Sequence, residues 1–197
     1  MTQIALGTNT TFTTAGEGEY WDSHWGLGGA SSLADLSYRR NEISAWAVGI
    51  GGGSAGAWNG RRFQVTGSGS RFAYVDFYGT AHCSSVPSLT GSTNWQVDVV
   101  VYDSTLDSII GNMNVFSASH SISLLTYTDG GNIGNSVLVS LQAGHEYVVY
   151  VKTTGDCSQY GTFASTMASD SGNYTTTWSY MEFYQNTLAI NKRSIII

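Results

Sequence analysis

The sequence predicts a single all-β domain over residues 1–197, an antiparallel β-sandwich or jelly roll with one short helix. Three observations carry this expectation. Runs of β-branched and aromatic residues in period-two alternation recur along the chain, separated by clusters of Gly, Ser, Asn and Asp at the spacing of a sandwich or barrel. One proline occurs, Pro87, in a Ser-rich stretch between two such runs, where its missing backbone donor does no harm. A length of 197 residues buries one substantial core, and sandwiches of this size are commonly undivided.

Taken from the N-terminus, 2–6 and 9–14 read as short strands around Ile4 and Phe12. Residues 17–25, Glu-Gly-Glu-Tyr-Trp-Asp-Ser-His-Trp, crowd three acids and three aromatics together and read as a loop. Ser32-Leu33-Ala34-Asp35 has the form of a capping box, so a short helix is expected to cap one end of the sandwich before the β-run at Ile43. Strands follow at 43–50 and 60–66, with Gly-Ile-Gly-Gly-Gly-Ser at 49–54 a flexible loop by composition. That glycine loop lacks the Lys and the helix start of a phosphate cradle. The runs at 70–79, 94–103, 112–118, 122–127, 135–141, 145–153, 160–167, 174–185 and 187–196 complete the strand set.

Composition narrows the partners. Charged residues make up 11% of the chain against a usual quarter, and Gly, Ser, Thr, Asn and Tyr supply the polar surface instead. A net charge of −6 without a basic tract argues against nucleic acid or an anionic membrane as the main partner. No apolar run reaches the length of a membrane helix, so membrane insertion is not expected. The start lacks the basic and apolar features of a secretory signal; the expected location is extracellular or surface-displayed, or a virion if Met1 is the native start. Cys83 and Cys157 each follow a strong strand pattern, and an even count in so weakly charged a chain predicts a disulfide across one end of the sandwich.

Strand parity selects the first candidate site. In 70–79, Phe72, Tyr74, Asp76 and Tyr78 share one face; in 174–185, Trp178, Tyr180, Glu182 and Tyr184 do the same. Aromatic platforms beside carboxylates suit sugars, because ring faces stack on the apolar faces of pyranoses while acids bond hydroxyls. Were the two strands neighbours, Asp76 and Glu182 would form the carboxylate pair of a glycoside hydrolase. The competing expectation is an outer sheet face stabilised by aromatic cross-strand pairs. In composition the chain, rich in Gly, Tyr, Thr and Trp and poor in Lys, resembles the small jelly-roll xylanases and carbohydrate-binding modules of secreted enzymes.

The acidic segment at 17–25 is the second candidate. Trp21 and Trp25 would serve as sugar platforms or as a lid on the core, and Glu17, Glu19 and Asp22 as oxygen ligands for a structural calcium ion. The four histidines are scattered and no Gly-x-Ser-x-Gly elbow occurs, which disfavours Ser-His-Asp catalysis. Both termini are apolar, with Ile4 and Leu6 near the start and Ile195, Ile196 and Ile197 at the end, and such strands must pair. Pairing with a second copy through terminal strands makes a self-assembling surface or structural protein the first functional expectation. A carbohydrate-binding module using Trp21, Trp25, Tyr74, Tyr78, Trp178 and Tyr180 is the alternative, and a jelly-roll hydrolase at Asp76 and Glu182 the second alternative.

Overall fold

Why these residues form long strands follows from the partner each finds. The computed structural model describes residues 1–168 and 175–185, with ten strands: β1 (Thr2–Ala5), β2 (Thr10–Phe12), β3 (Glu17–Asp35), β4 (Arg40–Thr66), β5 (Ser70–Val86), β6 (Gly91–Asp103), β7 (Ser108–Ser121), β8 (Tyr127–Gln142), β9 (Glu146–Ala168) and β10 (Thr175–Tyr184). One run of neighbours is β3-β4-β9-β6-β7, with β1 added parallel to the end of β4. The other is β8-β5-β10-β2. They join where the start of β4 pairs with β10 at Thr175–Thr177 and where the end of β9 pairs with β5 at Ser84–Val86. The antiparallel sheet is thereby nearly closed on itself.

The core lies between the two runs. Val97, Val99, Val149 and Val151 from the first meet Ala73, Val75, Leu141 and Phe183 from the second, all buried. Aromatic rings bridge the layers, with Phe63 at 5.0 Å from Phe183 and 5.4 Å from Phe12, in tilted and edge-on arrangements. A buried polar chain crosses the same space: Trp178 Nε1 donates to Asn59 Oδ1, Asn59 Nδ2 to Asn41 Oδ1 at 2.6 Å, and Asn41 Nδ2 to the carbonyl of Val151 at 2.9 Å. Burial of such groups is tolerated because each donor finds an acceptor.

Several expectations are corrected. Among the described residues there is no helix. The segment expected as one, 32–40, continues β3 to Asp35 and then turns, because Asp35 Oδ1 accepts from the backbone N–H of Ser37 at 3.0 Å and Tyr38 at 3.2 Å, a short-range turn rather than a helix cap. Residues 17–25 are strand, not loop, and the glycine run 49–54 lies inside β4. The runs 43–50 and 60–66 are one strand, as are 145–153 and 160–167. The run 122–127 is mostly a turn, begun by Ile122 at φ 53°, with Leu124 and Leu125 exposed. The expected strand 187–196, with Ile195–Ile197, lies outside the described residues.

Cys83 and Cys157 are buried thiols and form no disulfide. Both sit inside strands rather than in turns: Cys83 opposes Asp129 on β8, whereas Cys157 lies between Gly53 on β4 and Thr93 on β6. Burial, with the neighbouring Asp156 charge, pushes the Cys157 thiol up to about 12. At the other end of the chain Ile4 is buried, and β1 pairs with β4 of its own chain rather than extending outward.

Candidate functional site

The outer face of β3-β4-β9-β6-β7 is built by register. On β3 the side chains of Trp21 and Trp25 point to the same face, four residues and about 13 Å apart along the strand. Trp21 pairs with Gly56 and Trp25 with Gly52, and a Cβ at either glycine would overlap the indole opposite it. Each ring therefore lies down on the bare backbone of β4 and keeps 41% and 46% of its residue surface exposed. This is the physical role of the glycine run, whose missing side chains make room for rings. Tyr160 on β9 stands beside Trp25 with centroids 5.7 Å apart, and Lys152 Nζ lies 5.7 Å from the Trp21 ring.

Moving across the same face, the rows run from Trp21 through Gly56 and Thr154 to Gln96, and from Ser23 through Ser54 and Asp156 to Asn94. Here Asn94 Nδ2 donates to Asp156 Oδ2 at 2.9 Å, and Ser119 Oγ donates to Asn94 Oδ1 at 2.6 Å. These residues floor an open depression of about 290 Å³ lined also by Gln96, Ser117, Thr154 and Gly155. Sequence reasoning missed it, because Asn94, Ser119 and Asp156 are brought together from three strands by register alone.

The acids of 17–25 do not converge. Glu17 and Glu19 lie on the tryptophan face and Asp22 on the opposite one. Glu17 is bound by Arg62, whose Nε lies 3.1 Å and Nη2 3.1 Å from Glu17 Oε2 while Nη1 takes Glu146, and both carboxylates push the guanidinium up. Among the described residues no three His, Cys, Asp or Glu side chains group as metal ligands. The expected calcium set is thus not assembled.

The β5–β10 pair does bring the aromatic and acidic rows together. Tyr74 opposes Tyr184, Asp76 opposes Glu182, and Tyr78 opposes Tyr180 with stacked rings 5.9 Å apart. Asp76 is only 4% exposed and accepts from Ser136 Oγ of β8 at 2.6 Å. A hydrogen bond with Glu182 pushes the Tyr184 phenol up to about 12. Trp178 does not belong to this face. A bulge between Trp178 and Tyr180 reverses the parity of β10, so the indole turns inward and is fully buried.

The fold also joins residues that are far apart in sequence. Ser85 Oγ lies 3.0 Å from His120 Nδ1, His120 Nε2 lies 3.3 Å from Asp129 Oδ2, and Tyr127 stacks on the imidazole at 4.0 Å. Ser85 is buried, so its hydroxyl ties β5 to β7 instead of facing a substrate.

No protein-family model matches the chain, and no curated protein matches it. Among solved structures, TmCBM61 in complex with β-1,4-galactotriose is similar at 8% identity and a TM-score of 0.27, covering 84% of this chain and 88% of that one. A carbohydrate-binding module of Cellvibrio mixtus lichenase 5A in complex with cellotriose is similar at 7% identity and 0.26, covering 90% and 96%. A family 35 carbohydrate-binding module from Clostridium thermocellum is similar at 9% identity and 0.27, covering 90% and 98%. At such scores the likeness carries neither ligand nor activity across to this chain.

Proposed function

We propose that the chain is a non-catalytic, surface-displayed glycan-binding module. It takes an extended oligosaccharide on the outer face of β3-β4-β9-β6-β7. The observation that supports this most is the pair of half-exposed indoles, each held flat by a glycine of β4. A flat, fixed ring offers stacking surface without the entropy cost of ordering a side chain on binding. Beyond the rings, the Asn94, Asp156 and Ser119 groups line the open depression with donors and acceptors of the kind that bond sugar hydroxyls. Titration calorimetry against soluble neutral and acidic polysaccharides tests the proposal. Trp21→Ala and Trp25→Ala are each expected to weaken binding by about 1–3 kcal/mol, by analogy with the worth of stacking a nucleobase on an aromatic side chain. Absence of heat with every glycan would reject it.

A second reading, glycan cleavage, is favoured by one observation: Asp76 and Glu182 are direct cross-strand neighbours, with the stacked Tyr78–Tyr180 pair on one side and the Tyr74–Tyr184 pair on the other. Cross-strand neighbours have Cβ atoms about 4.5–5.5 Å apart, close enough for paired carboxylates. Under this reading Glu182→Gln abolishes the release of reducing sugar and leaves thermal unfolding unchanged; retained release in that variant excludes it.

A further inference from the structure

Strand β3 is the edge of its run, since among the described residues only β4 and no other strand pairs with it, and residues 19–27 are exposed on both sides of the ribbon. A long exposed edge is a ready template for another strand, and protective Lys or Pro residues are absent from 17–27. Ser32 Oγ donates to the carbonyl of Trp21 at 2.9 Å, away from the β4 ladder, and leaves that outward carbonyl one lone pair for a further strand. The peptide groups of Trp21, Ser23 and Trp25 thus face outward, and those of Asp22 and His24 face β4.

The segment Trp21-Asp22-Ser23-His24-Trp25 is complementary to itself when read antiparallel. With Ser23 opposite Ser23 of a second copy, Trp21 meets Trp25 of that copy on one face and Asp22 meets His24 on the other. Ser23 then forms a hydrogen-bonded pair, as its outward peptide group requires. Asp22 and His24 fall in the closer, non-hydrogen-bonded positions, where cross-strand side chains interact most strongly.

We propose that two copies of this chain pair through their β3 edges about a two-fold axis at Ser23. The interface is isologous, so the Asp22–His24 contact and the Trp21–Trp25 contact each occur twice. Two five-stranded faces become one continuous surface with four indoles at its centre. The pairing does not depend on glycan binding, and the test reads mass alone.

Light scattering coupled to size-exclusion chromatography, run over a concentration series without glycan, is expected to give twice the 21.1 kDa chain mass at the upper end. His24→Asp, which sets carboxylate against carboxylate across the axis, is expected to raise the dissociation constant at least tenfold. The exchange Asp22→His with His24→Asp restores the pair and is expected to restore the dimer. A wild-type monomer at all concentrations overturns the proposal. So does a dimer indifferent to His24→Asp, or one that the double exchange fails to recover.

Discussion

Asn59 occupies the point where the two layers exchange polar contacts, accepting from the buried Trp178 indole and donating to Asn41. Replacing it by Ala strands the Trp178 N–H and the Asn41 carbonyl oxygen without water. Two such orphaned groups, at roughly 1–3 kcal/mol each, make Asn59→Ala destabilising by about 2–6 kcal/mol, measurable as a shift of the urea midpoint. Titration of single residues sets the alkaline limit. The Cys157 thiol, about 9 when unfolded, stands at about 12 in the fold through burial, and the Tyr184 phenol rises from 10 to about 12 through Glu182. Both groups keep their protons longer folded than unfolded, so the stability these two contribute is full below pH 9 and is lost as pH rises from 9 towards 12. Unfolding midpoints that stay level over that window would contradict this assignment. Trp178 shows the limit of reading residues from parity. The alternation in 174–185 places it with Tyr180 and Glu182, but one extra residue at Ser179 turns it inward, and nothing in Thr-Thr-Trp-Ser-Tyr announces a bulge.

At the scale of elements, β3 and β4 act as a matched ribbon of rings and glycines. Gly56→Ala places a methyl group in the Trp21 ring, so the indole must lift off the sheet. The expected outcome is a loss of about 1–3 kcal/mol from overpacking, together with a red-shifted tryptophan emission as the ring enters water. An unchanged spectrum would mean that Trp21 does not rest on Gly56. The two halves of this ribbon were opaque in sequence for complementary reasons. A run of glycines has no side chains to alternate and reads as a flexible loop, while a run of acids and tryptophans with no buried face does not read as a strand. Each makes sense only against the other, and that pairing joins residues 27 positions apart at Trp25–Gly52 and 35 apart at Trp21–Gly56. Strands with one buried face were legible by contrast: Val97, Val99 and Val101 on β6, and Ala73, Val75 and Phe77 on β5, point to the core as their alternation requires. The opposition of Asp76 and Glu182 was legible only as far as each strand's own face, since strand order is not written in either segment.

For the whole molecule, the arrangement separates stability from recognition. Aromatic and aliphatic side chains of both layers fill the interior, while the outer face of the first layer carries rings and hydrogen-bonding groups that no core contact requires. The all-β class was readable from alternation and turn residues because both are local consequences of backbone geometry. The near-closure of the sheet was not, because it depends on β4 and β9 each running long enough to leave one layer and join the other. Glycan recognition by the tryptophan face is the central claim, and titration of the wild-type chain and a Trp21→Ala, Trp25→Ala double variant with the same polysaccharide tests it most directly. The account predicts measurable binding that the double variant loses at least tenfold while its unfolding midpoint stays within a few degrees. Equal affinity in the two proteins would contradict it and shift attention to the tyrosines of β5 and β10.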